Sequence, residues 1–233
     1  MADIGYLGIK EINIEQVIID ERSRDGTWCR LPYPSHPNGY PNYDNKLHCL
    51  PSAFRFEDIL LPPYYIVYYT FNLRDHANYI RKRFLAKNRS CSDRQAYCVL
   101  YWQGTVRKIL REAAEKLADA IEDDIVLRIP EANGANVFAT MARAGLFLKA
   151  NPKVLVTKVM IVGKGKMPYN SIKELPKSVR NVLPVKAQIT FKDAFNQGYA
   201  KFKGDEERAF KYAWGAVKNS YKKGKSGKWI KKE

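Results

Sequence analysis

Two segments constrain this chain more than any other. Residues 64–73 read YYIVYYTFNL and residues 154–162 read VLVTKVMIV. Both are short, apolar, and rich in β-branched and aromatic side chains, which fit a pleated, buried surface. Each therefore predicts a strand covered by other parts of the chain. Between them lie patterns of a different period. In residues 75–87, His76, Tyr79, Ile80, Arg83 and Phe84 fall at helical spacing. Ser92 and Gln95 make a capping-box pair, in which each side chain satisfies a free backbone N–H. Apolar residues follow at Ala96, Val99, Leu100, Val106, Leu110, Ala113, Leu117 and Ile121. That stripe predicts one long central helix of almost thirty positions. Residues 125–129 predict a short strand halted by Pro130. Asn133 is placed to cap a helix over 134–144, with Gly145 as its stop. The resulting expectation is an α+β fold.

Gly163-Lys-Gly-Lys166 reads as a flexible basic linker and divides the chain into residues 1–163 and 167–233. The second part is smaller and mostly helical. Residues 175–184 hold a helix between two prolines. Residues 185–202 carry Ala187, Ile189, Phe191, Ala194, Phe195, Tyr199 and Phe202 along one face. Gly204 and Asp205 break and recap the chain, residues 209–221 form a further helix, and residues 225–230 give a turn followed by a strand.

Charge separates the two parts as well. The chain carries 40 Lys and Arg against 24 Asp and Glu, a net of +16. Residues 167–233 hold 16 of the cations and only 6 of the anions, a net of +10 in one small unit. Such a field favours polyanions: nucleic acid, an anionic membrane surface or an acidic protein. Lys218, Lys222, Lys223, Lys225, Lys228, Lys231 and Lys232 crowd one predicted hairpin. Nothing in folding requires that many cations there, so they are the candidate phosphate-binding residues. Contact with phosphates alone carries no sequence preference. Phe195, Trp214 and Trp229 are expected to be core.

Met-Pro-Tyr at 167–169, the Leu-Pro pairs at 175–176 and 183–184, Ala194-Phe195, Ala213-Trp214-Gly-Ala-Val-Lys218, Tyr221, Gly227 and Trp229 resemble the ChaB family in order and spacing. The resemblance covers essentially all of residues 167–233. It implies a compact helical module ending in a two-stranded hairpin. The family's name implies a role in regulating cation transport, without a mechanism.

The N-terminal part holds the four cysteines, Cys29, Cys49, Cys91 and Cys98. No secretory signal and no apolar run long enough to span a bilayer is read, so a reducing, cytoplasmic setting is expected. There, metal binding or plain burial is a better reading of cysteine than a disulfide framework. Residues 27–53 contain Pro32, Pro34, Pro37, Pro41 and Pro51 and the turn signal Asn38-Gly39, so they read as a long loop. A bound ion is one reason for such a loop to be ordered. Trp28-Cys29 through Tyr43, His48-Cys49-Leu-Pro, residues 92–103 and residues 130–139 resemble a family of uncharacterised predicted metal-binding proteins of archaea, bacteria and phages. The resemblance implies a metal site among Cys29, Cys49, Cys98, His36 and His48. Three thiolates and one imidazole suit tetrahedral zinc, and an iron–sulfur cluster with an open iron is the alternative. Tyr40 stands where that family's pattern has a cysteine, and a phenol is a poor ligand for either. Either the remaining thiolates hold the metal with His36, His48 or Cys91 as the fourth ligand, or an ancestral site is lost and the fold is kept as a scaffold.

The chain has no P-loop, dinucleotide fingerprint or nucleophile elbow. The sequence therefore favours a binding protein that docks on nucleic acid or a nucleoprotein particle over an enzyme. The alternatives are a zinc or iron–sulfur redox enzyme and a ChaB-type regulator of cation transport, for which an anionic membrane surface is the less favoured partner.

Overall fold

The structure is a computed structural model that describes every residue except 1–4, 33–35, 46–48, 52, 122–123, 150–151, 225–226 and 233. Its centre is a four-stranded antiparallel sheet in the order β1-β2-β4-β3. β1 is Gly5–Ile12, β2 is Leu60–Asn72, β3 is Asp124–Leu127 and β4 is Leu155–Gly165. Both predicted strands are present, and they pair with each other: Tyr65 faces Val162, Val67 faces Met160 and Phe71 faces Val156. Side chains alternate across a strand, and here each alternate set meets its own core. Val67, Tyr69 and Phe71 of β2, with Val156, Met160 and Val162 of β4 and Val126 of β3, cover one face. Tyr64 and Ile66 of β2, Ile161 of β4, and Ile125 and Leu127 of β3 cover the other. A strand buried on both faces has no polar side to show, which is why residues 64–73 read as a continuous apolar run.

Short helices lead into the sheet: α1 (Glu21–Arg24), α2 (Thr27–Arg30) and α3 (Phe56–Ile59). α4 (Leu73–Leu85) follows β2 directly and is capped by Asn72, which accepts from the Asp75 N–H. The long stripe predicted from Ser92 is not one helix. α5 (Asp93–Ala96) has the expected Ser92–Gln95 capping box. The chain then turns through Tyr97 to Trp102 before α6 (Gln103–Ala120) begins. Tertiary contacts override the periodicity here. Trp102 is buried and stacks on Phe71 of the sheet at 5.8 Å. α5 is instead held to α4, where Arg81 bonds Asp93 at 2.6 Å and lies over the Tyr97 ring. Leu100, on the predicted stripe, is 86% exposed. From Val106 onward the stripe holds in part: Val106 and Leu110 are buried against the first face of the sheet, but beyond them Ala114 and Ala118 are buried and the expected Ala113 and Leu117 only partly so.

α7 (Val137–Arg143) starts later than expected and is capped by Asn136, not Asn133. The Asn133 side chain donates to the Phe54 carbonyl at 2.8 Å, a use no local pattern announces. Gly145 ends the helix with φ +76°, as expected. Gly163-Lys-Gly-Lys166 is also not a flexible linker. Gly163 is buried in β4 opposite Tyr64, and Gly165 pairs with Leu60. β2 bulges between Leu61 and Tyr64, where Pro62 and Pro63 have no N–H to give a ladder.

The C-terminal module contains α8 (Lys177–Arg180), α9 (Val185–Lys201), α10 (Glu206–Ser220) and the hairpin β5 (Tyr221–Lys223) with β6 (Trp229–Lys231). Its apolar residues Leu175, Val179, Leu183, Phe191, Phe195 and Tyr199 belong to the same hydrophobic cluster as the second face of the sheet. Phe54 makes part of that join, packing at 5.2 Å from Tyr169, 6.1 Å from Phe195 and 6.0 Å from Tyr199. Among the described residues, no helix is long and apolar enough to cross a membrane.

Candidate functional site

The hairpin is positioned by aromatic packing. Tyr221 is buried, Trp229 lies 5.2 Å from Trp214, and Trp214 lies edge-on to Phe191 at 5.3 Å. The Trp229 N–H donates to the Val182 carbonyl at 3.1 Å, which ties β6 to the turn after α8. Phe195 is buried, and Trp214 and Trp229 are half-buried against the core. Ile189, expected on the inner face of α9, is exposed.

On this base Lys218, Lys222, Lys223, Lys228, Lys231 and Lys232 are all exposed. None of them forms an ion pair with a described acidic residue. Lys225 lies outside the described residues. The pairings Tyr221 with Lys231, Lys222 with Ile230 and Lys223 with Trp229 divide the cations between the two sides of the ribbon. Lys223 and Lys231 share the side of Tyr221 and Trp229, while Lys222 shares the other with exposed Ile230. Lys232 has a folding role: its ammonium donates to the Lys218 carbonyl at 2.6 Å, at the C-terminal end of α10, where a cation is favoured.

The four cysteines sit at separate places along the fold. None of the four is in a disulfide. Cys29 sits on α2, and the proline-rich loop folds back on it: the Tyr40 N–H donates to the Cys29 carbonyl at 2.6 Å, and a Cβ on Gly39 would meet that same oxygen at 2.4 Å. The Gly39 N–H closes the turn on the His36 carbonyl. So Cys29, His36 and position 40 do share a neighbourhood. Burial pushes the Cys29 thiol up, away from the thiolate that binds metal. The Tyr40 hydroxyl accepts from Asn42 at 3.0 Å. Cys49 is buried, and Cys98 precedes the short turn that leads into α6. Among the described residues no three of His, Cys, Asp and Glu gather as metal ligands would, and His48 lies outside them.

Comparison with known proteins bears on the C-terminal module. The family model described as ChaB matches residues 175–232. "Putative cation transport regulator ChaB" of Escherichia coli (strain K12) is 44% identical over 75 residues, spanning 28% of this chain and 99% of that protein. This chain belongs to the ChaB family. The protein of the same name from Shigella flexneri matches equally, at 44% over 75 residues, 28% of this chain and 99% of that protein. The solved structure described as "NMR solution structure of the putative cation transport regulator ChaB" is 43% identical and covers 28% of this chain and 100% of that one, with a TM-score of 0.27.

Where the ChaB module meets the sheet, the structure shows polar groups that sequence reading missed. A cavity of about 210 Å³ is lined by Arg128, Asn133, Asp205, Glu206 and Glu207 among others. Asp205 caps α10 by accepting from the Arg208 N–H. Glu206 is 9% exposed, and burial, with Asp205 beside it, raises its carboxyl to about 8. The Tyr199 hydroxyl is buried with no hydrogen-bond partner among the described residues, and burial, with Glu206 nearby, pushes it well up. No signal in the local sequence separates Glu206 from the solvated acids of any helix N-terminus.

Proposed function

We propose that this chain is a binding protein whose ChaB module docks on nucleic acid or a nucleoprotein particle through the lysines around the β5–β6 hairpin, with the N-terminal sheet as its carrier. The observation that carries this reading is the set of six exposed lysines, none paired with a described acid, on and beside a hairpin anchored by Trp214 and Trp229. Fixed cations without counter-charges gain most from a polyanion that sheds condensed counterions, at roughly 0.9 ions per phosphate neutralised on a duplex. Titration of the full chain with duplex DNA across salt concentrations tests it. Affinity should fall linearly on a log–log plot, and replacing Lys222, Lys223 and Lys231 by Glu should flatten the slope and weaken binding. A duplex affinity that is undetectable at low salt removes the reading.

The name carried by the relatives, "Putative cation transport regulator ChaB", favours a second reading, regulation of cation transport. Flotation with anionic vesicles tests whether the same lysines recruit the chain to a membrane surface. The metal reading of residues 28–163 has its own test in elemental analysis of the purified chain, where stoichiometric zinc or iron would establish it.

A further inference from the structure

The C-terminal end of α4 is a second cationic site, and unlike the hairpin it contains a cavity. Asn88 adopts a left-handed conformation at φ +52°. Its N–H bonds the Leu85 carbonyl at 2.9 Å, and the Arg89 N–H bonds the Phe84 carbonyl at 3.0 Å. This is a Schellman turn, with Asn in the place usually taken by Gly. It folds Arg89 back over the last helical turn. The segment between α5 and α6 brings Tyr101 to the same place. Together they enclose about 220 Å³ lined by Ile80, Phe84, Arg83, Lys87, Arg89 and Tyr101. Ile80 is buried and Phe84 half-buried, so the floor is apolar, while the three cations and Tyr101 are exposed at the rim.

Three points decide the ligand class. Among the described residues no acidic side chain lines the cavity, and none forms an ion pair with Arg83, Lys87 or Arg89, Asp93 being paired with Arg81. The helix end contributes about half a negative charge, which three cations outweigh, so the site is anionic in preference. Its volume is below the ~300 to 1,000 Å³ of sites for drug-sized ligands, so it has room for one ring and not for a dinucleotide. An apolar floor beside an exposed tyrosine then calls for a flat ring attached to the anion. Cations at a helix end are stabilising in themselves, but that role needs neither a cavity nor an exposed Tyr101.

We propose that this pocket takes one nucleotide of a single-stranded nucleic acid, its base against Tyr101 and Phe84 and its phosphate on Arg83, Lys87 and Arg89. The proposal rests on the nucleic-acid reading for its choice of ligand and is separate from the hairpin. Base stacking on aromatic side chains needs a free base face, which a strand offers and an intact duplex does not.

The test is fluorescence anisotropy of the full chain with a fluorescein-labelled oligothymidine of about ten nucleotides, within the range of single-strand site sizes, beside a duplex of equal length. Tyr101→Ala should weaken strand binding about tenfold and leave duplex binding unchanged, and Tyr101→Phe should bind as the unaltered chain does. The double variant Arg83→Ala/Arg89→Ala should weaken the strand more than the duplex. All these positions are exposed, so the variants should fold. Replacing the hairpin lysines should weaken the duplex while the effect of Tyr101→Ala on the strand persists, which separates this proposal from the hairpin reading. Strand affinity indifferent to Tyr101→Ala overturns it. So does an equal loss on strand and duplex in the arginine variant, or loss of recovery on phosphatidylserine vesicles with strand affinity intact, which would make exposed Leu100 and its basic neighbours a membrane face.

Discussion

Arg128 and Asp205 meet at 2.8 Å, one just after β3 at the sheet edge and the other at the N-cap of α10. The same guanidinium lies 3.0 Å from Glu115 of α6, so one side chain joins both layers around the sheet to the ChaB module. Arg128 is 22% exposed and Asp205 23% exposed, placing the pair between surface pairs worth ~0 to 1 kcal/mol and buried pairs that cost ~3 to 5 kcal/mol to break. Arg128→Ala should therefore lower stability by about 2 kcal/mol in urea unfolding. Asp205→Asn keeps a capping oxygen and loses the charge, so a double-mutant cycle between the two isolates the ion pair. A coupling of zero would show that the pair contributes nothing.

Glu206 makes this junction sensitive to alkali. Its folded pKa, about 8, lies above the ordinary 4.5. The folded state therefore holds a proton that the unfolded chain has released, and the stability this gives is complete below about pH 4.5 and is lost as pH rises to about 8. Asp205, Tyr169 and Tyr199 interact with it, and Arg128 and Glu207 line the same cavity. A tenfold change in proton affinity corresponds to about 1.4 kcal/mol, so the effect reaches several kcal/mol at most. Glu206→Gln should raise the melting temperature at pH 9 and change it little at pH 4.5. Equal changes at both pH values would refute the assignment.

His76 acts in the opposite direction. It is 1% exposed, packs on Phe71, and neither ring nitrogen has a hydrogen-bond partner among the described residues. Burial lowers its pKa below 6.5. The unfolded chain takes up a proton first as pH falls, so stability is lost below about pH 6.5. His76→Leu should flatten the acid side of the stability–pH curve. An unchanged curve would count against the apolar cage.

Phe54 ties the N-terminal part to the ChaB module through Tyr169, Phe195 and Tyr199. Phe→Ala in a core typically costs ~3 to 5 kcal/mol, and Phe54 is only partly buried, so Phe54→Ala should cost about 3 kcal/mol. Limited proteolysis should then cut faster between residues 163 and 170. A neutral variant would mean that the join is held elsewhere.

Gly163 distinguishes a strand from a linker. A Cβ there would meet Leu60 Cδ2 at 2.9 Å and Tyr64 Cδ1 at 3.0 Å. Overpacking of this kind costs ~1 to 3 kcal/mol, so Gly163→Ala should destabilise the chain. A flexible linker would accept the methyl group without penalty, and a neutral result in denaturant unfolding would restore that reading.

The legible parts of this protein are those whose signal is local. The prolines at 176 and 184, the cap at Asp205 and the apolar spacing of Phe191, Phe195 and Tyr199 place α8, α9 and α10 without reference to the rest of the chain. The Ser92–Gln95 box is local and present. The break after it is not legible, because Val99 and Leu100 fit the helical stripe as well as Val106 does, and only the docking of Trp102 on Phe71 displaces them. The cap of α7 is not legible either: the Phe54 carbonyl takes the Asn133 side chain, and Asn136 accepts from the Ala139 N–H in its stead. The lysine cluster is visible as charge. The basic pocket at the end of α4 is not, since Arg89 and Tyr101 are brought together by a turn and a helix break twelve residues apart.

Sequence by itself determined that residues 64–73 and 154–162 hold strands, that the ChaB module is helical with a terminal hairpin, and where the positive charge is concentrated. Tertiary structure decided that β2 and β4 pair, that alternate side chains of one apolar run serve two different cores, and that the module closes one of them. The physical reason is that propensity and period record how a residue sits on its own element, whereas burial of Glu206, Gly163 and Trp102 depends on surfaces supplied by residues far along the chain.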